Sequence, residues 1–385
     1  MQKHYIETTQ QLESFCKLIA DSQWLTVDTE FLRESTYYPK FCLLQVANGE
    51  HAACIDPLTI EDLSSIKALL LSPDITKVFH AAFQDMEIFY HLWDAVPAPI
   101  FDTQLAATIT GHGDQMGYGR LVQKLLNTNL QKDQARTDWS LRPLDQRQLD
   151  YALDDVIYLA DIYLILNKTL SETGRSDWLT EEYAEFEDPQ TYQVHARDAW
   201  QKVKGRQHLK GVQLAVLQQL SAWREERAIA ANKPRRWILK DEVLVDLSKR
   251  MPDKIQQLQR IRGLEKATIN KQGNNLLDII QKAKATPREQ WPSEKNKIIK
   301  LSAEQEAITD LLMCSLRLIC AEQDITPAAI ASRKDLEKMA SGIEDTPMMQ
   351  GWRFKIAGQQ LKQVSRHKLL PLWNSKGQLS LQHIE

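Results

Sequence analysis

Four carboxylates in three separated apolar segments are the residues of this chain best suited to chemistry. Asp28 and Glu30 lie in WLTVDTEF, Asp85 lies in VFHAAFQDMEIF, and Asp155 lies in YALDDVIYL. Acids in segments that pack into a core are costly unless their charge is compensated. Divalent cations bound by oxygen ligands compensate several acids at once, and two such ions about 3.5–4 Å apart catalyse in-line phosphoryl displacement. The four acids therefore predict a two-metal nuclease.

The spacing of these residues fits that chemistry. Asp28 and Glu30 are two apart, so on a strand they project from one face while Thr29 points to the other. Tyr151 precedes Asp155 by four residues, so on a helix both occupy one face. A phenol beside metal-bound acids can orient or deprotonate a water molecule. Taken singly, each motif also fits a surface pair or a core tyrosine, but their joint order within one domain is more specific.

Length and composition restrict the class of protein to which this chain can belong. A chain of 385 residues predicts two or three domains. No apolar run reaches the length of a membrane span, and the polar N-terminus MQKHYIETTQQLESF does not resemble a signal peptide. The five cysteines include no CxxC pair, which argues against zinc and for reduced thiols in a cytoplasm. No pattern calls for an organic cofactor.

The net charge of −3 is the sum of a strongly acidic first part and a strongly basic middle part of the chain. Residues 1–200 carry 15 Lys and Arg against 31 Asp and Glu, residues 201–300 carry 23 against 10, and residues 301–385 carry 10 against 10. The middle block, with a net charge of +13, predicts attraction to a polyanion. The alternative is a solvated basic surface that maintains solubility. Together with the four acids, the block favours a nucleic-acid partner.

Secondary-structure patterns divide the chain into an α/β part and an all-helical part. WLTVDTEF, KFCLLQVANG, HAACIDP and ITKVFHA are typical of strands, and helical patterns separate or follow them. This alternation predicts a mixed sheet with helices on its faces. A boundary is expected between residues 180 and 210. Two helical segments then follow, separated by a linker around Pro287 and Pro292, and the second is expected to be helical through LLPLW.

The chain resembles a known family in several stretches. VDTEF, HAAFQDMEIF and YALDDVIYL resemble the three motifs of the DEDD exonucleases, in the subclass with a tyrosine before the last aspartate. RTDWSLRPLDQRQLDYALDDVIYL and FDTQLAATITGHGDQMGYGRLVQKLL, which contains Asp102 and Tyr118, are similar to ribonuclease D. LSAWREERAIAANKPRRWILKDEVLVDLSKRMP resembles the helicase-and-RNase-D C-terminal (HRDC) domain, and the last segment resembles it more weakly.

The resemblance implies an α/β ribonuclease-H-like exonuclease domain over residues 1–200. Two HRDC-type helical domains are implied at 208–290 and 298–385. The implied activity is metal-dependent removal of 3′-terminal nucleotides from RNA, notably tRNA precursors, with release of 5′-mononucleotides. Asp28, Glu30, Asp85 and Asp155 are the implied ligands of two Mg²⁺ or Mn²⁺ ions, and Tyr151 is implied to orient the attacking water.

Substrate-binding residues are expected in two places. By resemblance, Phe31 and Leu32 correspond to positions that pack on the terminal base, and His80 and Gln84 lie where they can touch the scissile end. In the basic block, clustered cations attract phosphates regardless of sequence, and an exposed aromatic can stack on a base. The cations expected to bind RNA are Lys233, Arg235 and Arg236. Trp237 lies among them, whereas Trp223 falls in the apolar stripe of a helix and is expected in the core.

Two other functions are compatible with these residues. A DNA-directed 3′–5′ exonuclease would use the same carboxylates, because nothing in the motifs senses the 2′-hydroxyl. A nucleic-acid-binding protein with an inactive nuclease domain would be marked by a missing carboxylate, and all four are present.

Overall fold

The computed structural model describes residues 1–130, 134, 137–293 and 300–384. These residues form two compact units. The first unit comprises the described residues of Met1–Glu30, Cys42–Thr191 and Ile298–Glu385, and the second comprises Phe31–Phe41 and the described residues of Tyr192–Lys297. Among the described residues no helix has the length and apolar character needed to cross a membrane.

This grouping differs from a simple succession of three domains. The last segment belongs to the same compact unit as the α/β residues, and the short segment Phe31–Phe41 belongs to the unit of the first helical module. The module boundaries at 200, 208, 290 and 298 stay a prediction. Residues 294–299, where the predicted linker ends and the last module begins, lie outside the described residues.

A mixed sheet forms the centre of the first unit, as the sequence predicts. The strand order is β1-β4-β3-β2-β5-β6. Strands β1/β4, β2/β5 and β5/β6 pair in parallel, and β3/β4 pair antiparallel. The strands are β1 (Gln2–Ile6), β2 (Trp24–Leu32), β3 (Lys40–Ala47), β4 (His51–Ile55), β5 (Thr76–Phe79) and β6 (Ile100–Asp102).

Strand β2, which carries the first two acids, lies inside this sheet between β3 and β5. Leu25 and Val27 are fully buried. The buried hydroxyl of Thr26 donates a hydrogen bond of 2.9 Å to the carbonyl of Val156, which lies in a long helix described below. The backbone of β2 is therefore held from both neighbouring strands and from a helix.

Helices cover this sheet. Those of the α/β part are α1 (Thr9–Ile19), α2 (Ser64–Leu70), α3 (Phe83–Trp93), α4 (Thr103–Ile109), α5 (Tyr118–Leu126), α6 (Gln146–Glu172) and α7 (Ser176–Glu187). The long helix α6 begins with a capping box in which the Asp145 side chain accepts from the Gln148 backbone and the Gln148 side chain accepts from the Asp145 backbone. This cap fixes where α6 begins, and so places Tyr151 and Asp155 on successive turns.

The last segment of the chain packs on α7. The indoles of Trp178 and Trp352 stack with centroids 4.4 Å apart, and Arg353 forms an ion pair of 2.6 Å with Glu182. Its helices are α13 (Ala303–Glu322), α14 (Pro327–Ile330), α15 (Arg333–Ala340), α16 (Gly351–Arg353) and α17 (Gln359–Ser365). The expectation of an all-helical segment is wrong at its end, because β7 (Leu369–Trp373) and β8 (Leu379–His383) form an antiparallel hairpin.

The second unit is helical. Its helices are α8 (Val212–Ala230), α9 (Arg235–Ile238), α10 (Asp241–Arg250), α11 (Ile255–Leu258) and α12 (Lys266–Lys284), preceded by short 3₁₀ turns at Ala196–Lys202 and Arg206–His208. Leu217, Leu244 and Leu276 are among the buried residues of its core, and Trp223 packs against that core as the sequence predicts.

A buried ion pair joins two distant parts of the first unit. Asp56, at the end of β4, has a fully buried carboxylate. It accepts hydrogen bonds from the Arg142 guanidinium, from the Tyr5 hydroxyl and from the Leu58 backbone. Arg142 also donates to the Cys42 carbonyl at 2.8 Å. Because Arg142 precedes α6 by a few residues, this pair anchors the approach to that helix on the sheet.

We expect Arg142→Ala to destabilise the chain by about 3–5 kcal/mol, because it leaves the Asp56 carboxylate buried without its cation. Urea unfolding of the full-length variant measures the loss. Arg147→Ala, which removes an exposed arginine from the first turn of α6, is the matched control and should change stability by no more than about 0.5 kcal/mol. Similar unfolding midpoints for the two variants would contradict a role for the ion pair.

Candidate active site

Three elements of the first unit carry the four acids. Asp28 and Glu30 lie on β2, and both are half-buried. Asp85 lies in the first turn of α3 and is only 6 % exposed. Asp155 is half-buried on α6. Tyr151, one turn earlier on the same helix, is also half-buried.

The electrostatics show that these four acids lie close enough to repel one another. Burial raises the pKa of Glu30 to about 10, and the charges of Asp28, Asp155 and Asp85 add to that rise. Burial likewise raises the pKa of Asp28 to about 7. The pKa values of Asp85 and Asp155 rise well above their usual range through burial and then through repulsion from Asp28. The structure thus brings together the acids that the sequence singles out.

Several neighbours hold this arrangement, and the sequence does not reveal all of them. Thr29 donates its hydroxyl hydrogen to the Asp85 carboxylate, an interaction that strand alternation did not predict. Asp102 accepts from the backbone of Ala82 at 2.8 Å, just before α3, and from Gln104 at 2.8 Å in α4. The Tyr118 hydroxyl donates to the Asp154 carbonyl at 3.0 Å. Asp102 and Tyr118 thereby fix the helices that bear or adjoin the acids.

Tyr151 keeps its proton in this environment. Burial raises its pKa first, and the charges of Asp155, Glu30 and Asp28 raise it further. The ring of the buried Trp139 lies against it, with centroids 6.1 Å apart. In the cation-free chain Tyr151 is therefore a neutral phenol that can donate a hydrogen bond.

The donor set suits a hard cation. All four side chains offer carboxylate oxygens, which Mg²⁺ and Mn²⁺ prefer, and their mutual repulsion is the energy that a cation relieves. In the described part of the chain, no three or more His, Cys, Asp and Glu side chains already stand in a metal-binding arrangement.

The other residues predicted near the scissile end are placed as follows. Phe31 and Leu32, the last residues of β2, are half-buried. The Nδ1 of His80 lies 2.9 Å from the Thr103 hydroxyl, and its Nε2 is buried. Burial lowers the pKa of His80. Gln84 is exposed on α3, beside Asp85.

The three predicted RNA-binding cations lie in the second unit, and two are already paired. Arg235 binds the buried Glu225 carboxylate through hydrogen bonds of 2.8 and 2.6 Å. Arg236 pairs with the exposed Glu242 at 3.3 Å. Lys233 is exposed. Their role in binding RNA stays a prediction, and the pairing of Arg235 gives that residue a structural role as well.

Comparisons with known proteins identify the family of this chain. A family profile described as 3′–5′ exonuclease matches residues 3–171, and an HRDC domain profile matches residues 213–280. The ribonuclease D of Bartonella henselae is 39% identical over 376 residues, which cover 94% of this chain and 90% of the relative. The chain belongs to the ribonuclease D family. The ribonuclease D of Sphingobium indicum is also 39% identical, over 93% of this chain and 94% of its own length.

A solved structure supports the same family over the whole length. The crystal structure of Escherichia coli RNase D is similar with a TM-score of 0.81 and 29% identity, over 95% of this chain and 99% of that one. The expected α/β exonuclease fold followed by helical HRDC regions is therefore confirmed. The chain is a 3′–5′ exoribonuclease of the ribonuclease D type.

The acid cluster predicts that the metal-free chain loses stability as the pH rises. The folded chain keeps the Asp28 proton up to about pH 7, whereas the unfolded chain releases it near the usual pKa of 3.8. Between these values the folded state binds more protons, so stability falls with rising pH and levels off above the folded pKa. Glu30, with its pKa of about 10, extends the loss further. One pKa unit corresponds to about 1.4 kcal/mol, so the loss should reach a few kcal/mol.

Urea unfolding in EDTA at pH 5, 6, 7 and 8 measures this loss. The Asp28→Asn variant should gain stability relative to the wild type as the pH rises, because its cluster has one charge fewer. Asp161→Asn, at an exposed position of α6, should show the same change of unfolding free energy with pH as the wild type. If the difference between wild type and Asp28→Asn is constant over this range, the acids do not repel one another as described.

Proposed function

We propose that this exoribonuclease trims the 3′ ends of structured RNAs, notably tRNA precursors, and releases 5′-mononucleotides with the help of two divalent cations. One observation carries the proposal, namely four carboxylates, beside a protonated tyrosine, whose pKa values are raised by burial, and for Glu30, Asp85 and Asp155 also by repulsion from Asp28. Such a cluster is unfavourable alone and suits cation-assisted phosphodiester hydrolysis.

Asp28, Glu30, Asp85 and Asp155 would hold the two Mg²⁺ or Mn²⁺ ions. When bound, the ions would supply Lewis-acid stabilisation of the negative charge that develops on the phosphoryl oxygens and on the leaving 3′-oxygen in the transition state. Carboxylates alone would repel that transition state. The Thr29 hydroxyl holds the Asp85 carboxylate in place, which leaves the orientation of this acid less dependent on the substrate.

In the hydrolysis a water oxygen forms a bond to the terminal phosphorus, and the bond from phosphorus to the 3′-oxygen of the preceding nucleotide breaks. The water gives up a proton, and the leaving 3′-oxygen gains one. Tyr151 remains a neutral phenol, so we assign it the orienting role: its hydroxyl holds the water by a hydrogen bond. Phe31 and Leu32 are proposed to pack on the terminal base, with His80 and Gln84 near the scissile end.

The substrate proposal rests on the relatives and on charge. The E. coli structure is described as an exoribonuclease involved in structured RNA processing, and the HRDC match falls within the basic block of this chain. Backbone phosphates of a folded RNA attract such a block. We infer that the acids act on a single-stranded 3′ end and that the basic unit binds other phosphates of the same RNA.

Single-stranded RNA labelled at either end tests the activity and its metal requirement. With Mg²⁺ or Mn²⁺, a 5′ label should shorten one nucleotide at a time and a 3′ label should appear at once as a mononucleotide, whereas EDTA should stop both. Matched DNA should be degraded more slowly, and equal rates would favour the DNA-directed alternative. A tRNA precursor with a 3′ extension should be shortened only to the edge of its folded part.

We expect Asp155→Asn and Asp28→Asn to abolish this degradation without unfolding the chain, because each removes a proposed cation ligand from a cluster whose repulsion it also relieves. The same assay measures activity, and urea unfolding measures the fold. Asp161→Asn, on α6 but exposed, should retain wild-type activity. Full activity of either ligand variant would eliminate the proposed site.

Tyr151→Phe should lower kcat by roughly 10²–10³-fold, the range for removing one preorganised hydrogen-bonding group from an active site, and leave RNA affinity little changed. The phenylalanine keeps the packing against Trp139 and removes only the hydroxyl. Single-turnover cleavage and equilibrium binding of the same oligonucleotide separate the two effects. Near wild-type turnover would reduce Tyr151 to a packing residue.

A further inference from the structure

The helical second unit contains a pocket that the exonuclease chemistry does not use. Its volume is about 470 Å³, which falls within the range of about 300–1,000 Å³ typical of small-ligand sites. Segment 31–41, the residues before α8, helix α8 and the short helix α9 all contribute to its wall. Six cationic side chains and one carboxylate line it: Arg33, Lys202, Lys204, Arg224, Arg235, Arg236 and Asp241.

One wall of this pocket is rigid. Glu225 is 1 % exposed, and its carboxylate accepts hydrogen bonds from the Arg235 guanidinium and from the Tyr37 hydroxyl. The Arg235 guanidinium lies over the Tyr37 ring, 5.1 Å from its centroid. The side chain of Asn232 accepts from the backbone of Tyr37 at 3.0 Å. Segment 31–41 is thus fixed to the helical module.

A buried arginine forms another part of the wall. Arg224 is only 3 % exposed, and it donates to the Leu239 carbonyl at 2.9 Å and to Asp241 at 2.7 Å. Its Nε has no hydrogen-bond partner among the described residues. A buried N–H without an acceptor is costly, so this guanidinium is a fixed donor that its own fold leaves incompletely satisfied.

The mouth of the pocket carries charge without local compensation. Lys202 and Lys204 are both exposed, and within the described ranges neither ammonium group has an ion-pair partner. Asp241 is the carboxylate in the wall, and its charge is already matched by Arg224. An anion at this mouth would therefore meet positive charge without displacing an existing pair.

An exposed aromatic side chain also lines the pocket. Trp237 lines the pocket and is 64 % exposed, in contrast to Trp223, which packs against the core of the same unit. An exposed indole among cations is the arrangement that stacks on a base while its neighbours hold the backbone. An acidic peptide would meet the same cations but would leave the flat face of this indole unused.

We propose that this pocket binds one nucleotide of a single-stranded RNA, with its phosphate at Lys202, Lys204 and the Arg224 side and its base stacked on Trp237. The proposal rests on the proposed function, because RNA is its ligand. It concerns how the chain holds the RNA and not the cleavage of its terminal nucleotide.

Full-length variants in EDTA test binding without cleavage. Oligoadenylates of 2 to 12 nucleotides serve as probes, and binding is followed by tryptophan fluorescence and by anisotropy of a 5′ dye. Trp237→Ala should weaken binding of the longer oligonucleotides roughly 5- to 150-fold, as the loss of one base stack does, and Trp237→Phe should restore most of it. The quenching that RNA causes in the wild type should be reduced in Trp237→Phe, although this variant still binds.

Charge is tested by a matched pair of double variants. Lys202→Ala with Lys204→Ala should lower the log–log salt slope by about 0.7 for each phosphate that the protein no longer neutralises. Lys271→Ala with Lys282→Ala removes the same charge from exposed positions of α12 outside the pocket and should leave the slope within error of the wild type. Equal slopes for the two double variants, or undiminished affinity of Trp237→Ala, would overturn the proposal.

Two further measurements distinguish this proposal from binding of a free nucleotide and from the proposed exonuclease function. Quenching by AMP but not by an oligoadenylate would show that the pocket takes a free nucleotide, and the assignment to an RNA strand would fall. Cleavage of the shortest oligonucleotides in Mg²⁺ reports the exonuclease reaction, and the control Lys271→Ala with Lys282→Ala should cleave them at the wild-type rate. Absence of cleavage by the wild type with normal quenching would count against the proposed function and leave the pocket standing.

Discussion

Electrostatic repulsion among four carboxylates is the constraint on which the rest of the first unit depends. Burial raises the pKa of Asp28 to about 7. Burial, together with the charges of Asp28, Asp155 and Asp85, raises the pKa of Glu30 to about 10. No chain would keep such a cluster for stability, since it destabilises the fold at neutral pH. A ligand that binds only the folded state recovers that free energy, and divalent cations are the ligands that suit these oxygens. Binding of divalent cations by these oxygens would therefore offset the repulsion among the acids.

The surrounding fold keeps the acids together in spite of this repulsion. Strand β2 is held inside the sheet, the capping box of α6 fixes where Tyr151 and Asp155 fall, and Asp102 ties the starts of α3 and α4. The ion pair of Asp56 and Arg142 anchors the approach to α6. Rigid elements rather than loops carry the acids, which is what a site of fixed geometry needs.

Much of this could be predicted from the sequence because its signals are local. The two-residue spacing of Asp28 and Glu30 and the four-residue spacing of Tyr151 and Asp155 have direct meanings on a strand and a helix, and both elements are present. Strand β1 could not be predicted in this way. In its sequence QKHYI only Ile6 is buried, so it shows no alternation of apolar and polar residues. Strand β6 has three residues, too few for a pattern.

Other features depend on interactions between distant residues and leave no local pattern. The apolar run LLPLW fits a helix or a strand equally, and its pairing with residues 379–383 decides for the strand. Arg235 looked like a free cation for RNA, but it binds Glu225 and Tyr37, the latter nearly two hundred residues away. The grouping of Phe31–Phe41 with the helical unit could not be predicted either, because it also depends on contacts between residues that are distant in sequence. Long-range pairing thus limits what local spacing can predict.

Calorimetric titration of Mn²⁺ into the full-length chain tests the central claim most directly. Repeating it at pH 6.5 in two buffers with different ionisation enthalpies counts the protons exchanged as the ions bind. Because Asp28 and Glu30 retain protons at this pH in the cation-free chain, binding must displace them. The account predicts net proton release, reduced in Asp28→Asn. Binding at these acids with the same heat in both buffers, and hence no proton release, would contradict it.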